Sequence, residues 1–240
     1  MSSVGLLATA SLKAEVFRTP KGEAPMVHWA ILESTPGQMK QMQQFAVQHV
    51  APEVKKEAGT YALYGGVSEK EPDTLRLLEI YEDQRAYELH VGSEAFQRYR
   101  QARQPILKSL TIVEVEPIAM QQCQDGVGTR LVIRRFEVDL EKIEEYRALI
   151  RAQARRAVRE NEALGVFITA EKDAPNVWRT LEIYKDEQAY QVALASKSAK
   201  IFRTQAQGFE KKELERIDIE KAYVPLSTKG KRSGDDVSAE

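Results

Sequence analysis

The chain has 240 residues, 42% of them hydrophobic and 30% charged, with a formal net charge of −1. These values describe an ordinary globular protein of one or two domains. A charge so close to zero gives no electrostatic reason to expect a nucleic-acid or membrane partner. The single cysteine, Cys123, excludes an internal disulfide and suits a reducing, cytoplasmic setting. No apolar run is long enough to cross a bilayer, and residues 1–14 lack the basic start of a signal peptide.

Residues 1–25 are weakly patterned and read as a loosely ordered arm, with 14–18 able to add an edge strand. Residues 27–33 form the first convincing strand. Thr35-Pro36-Gly37-Gln38 then has the spacing of a capping box that opens a helix. Met39, Met42, Phe45, Ala46, His49 and Val50 recur at helical spacing as its buried stripe; Pro52 bends it and Gly59 stops it. Strands follow at 61–68 and 75–81. Asp83 caps a short helix to about His90, and Ser93 caps another to about Leu107. A strand at 111–118 closes a β-α-β-β-α-β unit of ferredoxin-like type. Gly65-Gly66, inside a strand, suggests a bulge or a close backbone approach.

After a polar linker at 119–128 the order repeats. A strand near 130–137 precedes a helix over about 140–160 with Ile143, Tyr146, Ile150 and Val158 inward. Strands at 165–170 and 177–184, helices between Asp186 and Gln207, and a strand near 214–222 complete the second copy, and 224–240 read as a disordered tail. The repetition is also literal. Glu79 and Tyr81 return as Glu182 and Tyr184; Asp83, Ala86, Tyr87, Ser93 and Arg100 return at the same offset as Asp186, Ala189, Tyr190, Ser196 and Arg203. The chain is therefore expected to be α+β, with repeats at 26–118 and 129–223. A four-stranded sheet covered by helices on one face leaves its other face bare, so the two sheets are expected to bury each other's open face as an intrachain pseudo-dimeric barrel. Whether that pair dimerises again is left open.

Glu57-Ala58-Gly59, Glu79-x-Tyr81 and Ala86-x-x-x-His90-x-x-Ser93-x-x-Phe96 resemble the antibiotic biosynthesis monooxygenase superfamily. The second copy keeps the strand motif but has Ala193 and Ala199 in place of the His and the Phe. The resemblance implies a dimeric α+β barrel, here fused in one chain, with a pocket between sheet and helices. It also implies oxidation of phenols or quinols, often without a cofactor. The superfamily also holds heme degraders and an isomerase of a phosphorylated sugar. The heme-degrading pattern is broken here at His90, where an aromatic is usual, and at Arg100, where the iron-ligating His stands.

All three histidines fall in the first repeat. His90 is the leading catalytic candidate, since an imidazole can take a phenolic proton near neutral pH and His90 shares a helix face with Ala86. Its structural alternative is a histidine that caps the helix break. Tyr64, Tyr81, Phe96, His28 and Glu79 are the candidate substrate-binding residues. For Tyr64, Phe96 and Tyr99 the competing reading is core packing. His28 alternates with Trp29, so only one of the two can face a pocket. Glu79 and Tyr81 recur in the copy without a histidine, which favours a structural role, such as a strand carboxylate bonded to an Arg or a backbone amide. His49 reads as a packed, hydrogen-bonded core residue. No Cys/His cluster has zinc spacing, no Gly-rich phosphate loop precedes a helix and no Gly-x-Ser-x-Gly elbow occurs, so no metal is expected; the resemblance implies a small-molecule substrate and no cofactor. Two functions remain: a cofactor-independent monooxygenase of a quinol or polyphenol, and a non-catalytic binding or assembly module. The same base could also isomerise a hydroxyketone.

Overall fold

A computed structural model of the chain describes residues 14–123, 128–220 and 232–234. The expected tail at 224–240 and most of the expected arm at 1–25 lie outside these residues. Within them, β1 (Ala14–Phe17) lies on the edge of β5 and β10 (Arg232–Gly234) pairs with β1, while residues 18–25 form a turn without regular structure.

The first repeat runs β2 (Met26–Ser34), a helix in three pieces, β3 (Thr60–Ser68), β4 (Glu71–Tyr81), α3 (Gln84–Gly92), α4 (Glu94–Arg103) and β5 (Leu107–Cys123). The second runs β6 (Arg130–Val138), α5 (Ile143–Arg159), β7 (Gly165–Glu171), β8 (Val177–Tyr184), α6 (Glu187–Ala195), α7 (Lys197–Ala206) and β9 (Glu210–Ile219). Strand order is β3-β4-β2-β5-β7-β8-β6-β9, so both repeats share one topology and meet edge to edge through β5 and β7. Ala119 to Cys123, expected in the linker, instead continue β5, which at 17 residues is long enough to serve both halves. The ladder shifts register between Pro117 and Ala119, where proline has no N–H to give.

The sheet curls until β9 lies against β3, and residues of both repeats fill its inside: Trp29, Tyr64, Leu78, Ile133, Phe167 and Leu181 belong to one buried cluster. The indole N–H of Trp29 donates to Thr169 Oγ1 of the second repeat (3.1 Å), and Tyr64 OH donates to Gln122 Oε1 on the extension of β5 that pairs with β7 (2.6 Å). Arg76 reaches Glu215 of β9 at 2.7 Å. The mutual burial of open faces is thus realised as one continuous barrel.

Alternation along the strands decides what remains for the outside. Trp29 points into the barrel while His28, Ala30 and Leu32 point to the helices; Leu78 and Ile80 point inward while Leu77, Glu79 and Tyr81 point outward. At Gly65 a Cβ would stand 1.8 Å from the Arg76 carbonyl oxygen, so the close approach expected of this residue is real, and only glycine fits.

The first helix departs from the sequence reading. Thr35 and Gln38 do not form a capping box. Their backbones close a turn (Gln38 N–H to Thr35 O, 3.1 Å), Gly37 takes φ of 76°, and its N–H donates to Asp73 Oδ1 (2.8 Å). The helix α1 (Met39–Phe45) then passes into one π turn (Ala46–Val50) before α2 (Ala51–Val54). Pro52 stands at the start of α2, where a missing N–H is tolerated. The extra residue of the π turn leaves His49 half-buried, while Val50 and Val54 take the core positions. His49 is therefore not the packed core histidine expected.

Candidate functional site

The site of the first repeat is built by small residues and caps. A Cβ on Gly59 would meet the Cβ of Ala86 at 2.6 Å, so the loop before β3 and the first turn of α3 touch only because both residues are small. Asp83 fixes the start of that helix by accepting from the Ala86 N–H (2.8 Å), and Ser93 fixes the start of α4 by accepting from the Phe96 N–H (3.2 Å). His90 lies one turn after Ala86 on the same face and meets the loop that Gly59 holds. Its Nδ1 is 2.7 Å from Glu57 Oε2, and Thr60 Oγ1 donates to the same oxygen at 2.7 Å. A carboxylate only accepts, so Nδ1 carries the proton and Nε2 the lone pair of the neutral ring.

A second pair lies on the sheet beneath. His28 Nε2 is 2.6 Å from Glu79 Oε2, which also accepts from Tyr81 OH at 2.9 Å. Burial opposes ionisation of Glu79, but hydrogen bonds from His28 and Tyr81 and the positive field of both histidines outweigh it, so the carboxyl titrates below its usual range. The structural partner of Glu79 is a histidine, not the Arg or backbone amide expected. The Tyr81 phenol is pushed up by burial and then by Glu79, and that of Tyr87 by the same two causes, so both remain donors. The rings interlock edge to face: Tyr87 on His28 at 5.0 Å and Phe96 on His90 at 5.1 Å.

Two hollows with shared walls open beside these groups. A small cavity of about 50 Å³ is lined by His90, Glu79, Gln43, Val50 and Leu63. A groove of about 570 Å³ runs on between α3, α4 and the outer faces of β2 and β5, with Tyr87, Arg103, Leu110 and Ile112 along it. Leu77, Glu79, Phe96 and Tyr99 form walls of both. His90, Glu79 and Phe96 therefore line the site, with Tyr81 and His28 held behind Glu79.

Tyr64 does not belong there. It is 1% exposed inside the barrel, against Phe167, on the opposite face of the sheet. The ladder of β3 on β4 shifts between Thr60 and Ala62, which turns both Tyr61 and Tyr64 inward although they are three residues apart. Sequence reasoning also left Glu57, Tyr87 and Arg103 without a role. Comparison of the copies carries a signal for one of them, since Arg103 of α4 falls on Ala206 of α7.

The second repeat has a hollow of about 150 Å³ at the same place, lined by Thr180, Glu182, Tyr184, Ala193, Ala199 and Arg216. Tyr184 OH donates to Glu182, as Tyr81 does to Glu79. Val132 faces Glu182 across the ladder where His28 faces Glu79. Space survives in this copy; the two histidines do not. Among the described residues no cluster of His, Cys, Asp and Glu could hold a metal ion, and no helix is long and apolar enough to cross a membrane.

A doubled ferredoxin-like unit closed into one barrel, with a pocket between sheet and helices, defines a tandem member of the dimeric α+β barrel class. The chain belongs to the antibiotic biosynthesis monooxygenase family, whose model matches residues 26–102 and again 129–205. Among solved structures it is similar to a candidate monooxygenase from Lactobacillus acidophilus (TM-score 0.77, 16% identity, 89% of this chain and 100% of that one). It is equally similar to one from Fusobacterium nucleatum (TM-score 0.77, 19% identity, 88% and 98%). An anthrone oxidase-like protein is more distant (TM-score 0.53, 10% identity, 91% and 97%). At these identities the likeness establishes the fold. No curated protein matches the sequence.

Proposed function

We propose that the first repeat is the active unit of a monooxygenase that oxidises a small phenol or quinol without a cofactor, with His90 as the base. The observation that carries this reading is the buried His90, held by Glu57 on the wall of a cavity in one repeat and replaced by Ala193 in the other. Glu57 holds the ring by Nδ1, which leaves Nε2 to take the phenolic proton. The phenolate passes one electron to dioxygen, and the phenoxyl radical and superoxide then combine at a ring carbon to form a C–O bond. Loss of the hydrogen at that carbon, with cleavage of the O–O bond, leaves a quinone carbonyl and one water. The substrate supplies all the electrons, and atoms balance as phenol plus dioxygen giving quinone plus water. The apolar walls Leu77, Phe96 and Tyr99 keep water from the radical pair.

The test is oxygen consumption with 1-naphthol, whose para position is free. Enzyme-dependent uptake with one 1,4-naphthoquinone per dioxygen is expected, falling about 10²- to 10⁴-fold in His90→Ala. Uptake no faster than in buffer, or unchanged in that variant, removes the reading. Turnover of a hydroxyketone without oxygen uptake would assign the same base to isomerisation.

A further inference from the structure

Four arginines are buried among the described residues: Arg76, Arg103, Arg130 and Arg179. Three have carboxylates. Arg76 pairs with Glu71 and Glu215, Arg130 with Glu187 and Asp218, and Arg179 with Glu171 and Glu215. Arg103 forms no ion pair among the described residues. The residue as a whole is 5% exposed; its guanidinium carbon lies 4.7 Å from the centroid of the Tyr99 ring and 5.9 Å from that of Phe96, and its buried Nε has no hydrogen-bond partner. A guanidinium taken out of water without a counter-charge is costly, and two aromatic faces recover only part of that cost. The cation lines the groove of about 570 Å³, which shares the walls Leu77, Glu79, Phe96 and Tyr99 with the His90 cavity.

The two copies sharpen the point. α4 and α7 have the same length and the same serine cap, and along them Phe96, Tyr99 and Arg103 fall on Ala199, Phe202 and Ala206. The copy that lost His90 also lacks the unpaired cation and the Phe96 ring, and keeps an aromatic ring only at the Tyr99 position, as Phe202. Arg100, by contrast, is kept as Arg203. Arg103 thus varies together with the chemistry and not with the scaffold.

We infer that the first-repeat site takes an aromatic carboxylate, whose anionic group pairs with Arg103 while its ring lies on the walls formed by Leu77, Phe96 and Tyr99. That the ring also carries a hydroxyl at the His90 end rests on the function proposed above; the carboxylate and Arg103 do not. The groove is large enough for a bicyclic ligand, and a guanidinium fork matches a carboxylate in two parallel hydrogen bonds. Arg103 is in this sense a specificity-determining residue, set apart from the proton transfer.

The test measures binding under nitrogen, where no turnover occurs, with two probes that differ only in the carboxylate: 5-hydroxy-1-naphthoate, whose hydroxyl and carboxylate stand at opposite ends, and 1-naphthol. The wild-type chain is expected to bind the acid at least tenfold more tightly. In Arg103→Gln that preference falls to within about twofold, Arg103→Lys keeps part of it, and Arg98→Gln, on the same helix but away from the groove, leaves it in place. Arg103→Met, which keeps the apolar stem over the two rings, gives the same readout if the glutamine variant does not fold. A wild-type preference below threefold, a preference that survives at Arg103, a parallel loss for both probes, or no binding of either overturns the inference. Absence of oxygen uptake with an intact Arg103-dependent preference removes the monooxygenase reading and leaves this one standing.

Discussion

Gly59 and Ala86 stand so close that a Cβ on the first would lie 2.6 Å from the Cβ of the second. The contact joins the Glu57 loop to the helix that carries His90, and neither atom is the free end of a flexible side chain. Gly59→Ala is therefore expected to destabilise the protein by about 1–3 kcal/mol through overpacking and to lower turnover as well, since the loop must move away from His90. Chemical denaturation and kcat measure the two effects. Adding Ala86→Gly should restore much of the stability; a double variant no more stable than Gly59→Ala would show that the contact is not the cause.

Glu79 links His28 and Tyr81 through one carboxylate oxygen. Its carboxyl titrates below the ordinary value of 4.5. A depressed native pKa adds stability above the unfolded pKa, and that stability is lost as pH falls through the native value. Glu79→Gln should accordingly cost about 1–3 kcal/mol at neutral pH, as expected for a hydrogen bond to a charged group. The gap between variant and wild type should close as pH drops below about 4.5. Melting temperatures across pH 3–7 check this; a gap that is constant over the series would contradict it.

Much of this site is written in local sequence. Asp83 and Ser93 cap their helices as their positions require, His28 and Trp29 divide between the two faces by strand alternation, and His90 stands beside the cavity. What escaped depends on breaks in periodicity or on contacts between distant segments. The register shift after Thr60 turns Tyr64 into the barrel, and the π turn before Pro52 shifts His49 off the apolar stripe. In each case one additional residue moves a side chain to another face, and no pattern of period two or 3.6 records it. The Glu57–His90 bond joins a loop to a helix 33 residues away, which spacing alone cannot show. Arg103 sits on a helix rich in charge, where only its replacement by Ala206 in the second copy hints at a role; its burial without a carboxylate is what marks it.

The hollow of about 150 Å³ in the second repeat is lined by Ala193 and Ala199, where the first copy has the imidazole and the phenyl ring. Filling it tests whether the space is idle. Ala193→Leu should raise stability by about 0.5–2 kcal/mol, the usual gain from filling a cavity without strain, and leave oxygen uptake by the first repeat unchanged. Urea midpoints measure the first and an oxygen electrode the second. A loss of stability would mean that the surrounding side chains already need that space.

Trp29 and Trp178 give each repeat its own fluorescent reporter: Trp29 is inside the barrel against residues of both halves, and Trp178 is packed between sheet and α5. Because the inner cluster draws on both repeats and the Trp29 indole bonds to Thr169 of the other half, neither copy can expose its inner sheet face while the other stays folded. Two separately stable domains would melt in two steps; a shared core makes the chain unfold in one. Trp29→Phe leaves fluorescence that reports on the second repeat, and Trp178→Phe leaves fluorescence that reports on the first. Within each variant the midpoint read from the remaining tryptophan is expected to coincide with the midpoint read by far-ultraviolet circular dichroism. Arg76→Ala, which removes one partner of Glu215 of β9 across the barrel closure while Arg179 remains, should lower both readouts together by about 1–3 kcal/mol, as for the loss of a part-buried hydrogen bond to a charged group. Divergence of the two readouts in either background would show that the repeats are held side by side and do not share one cooperative core.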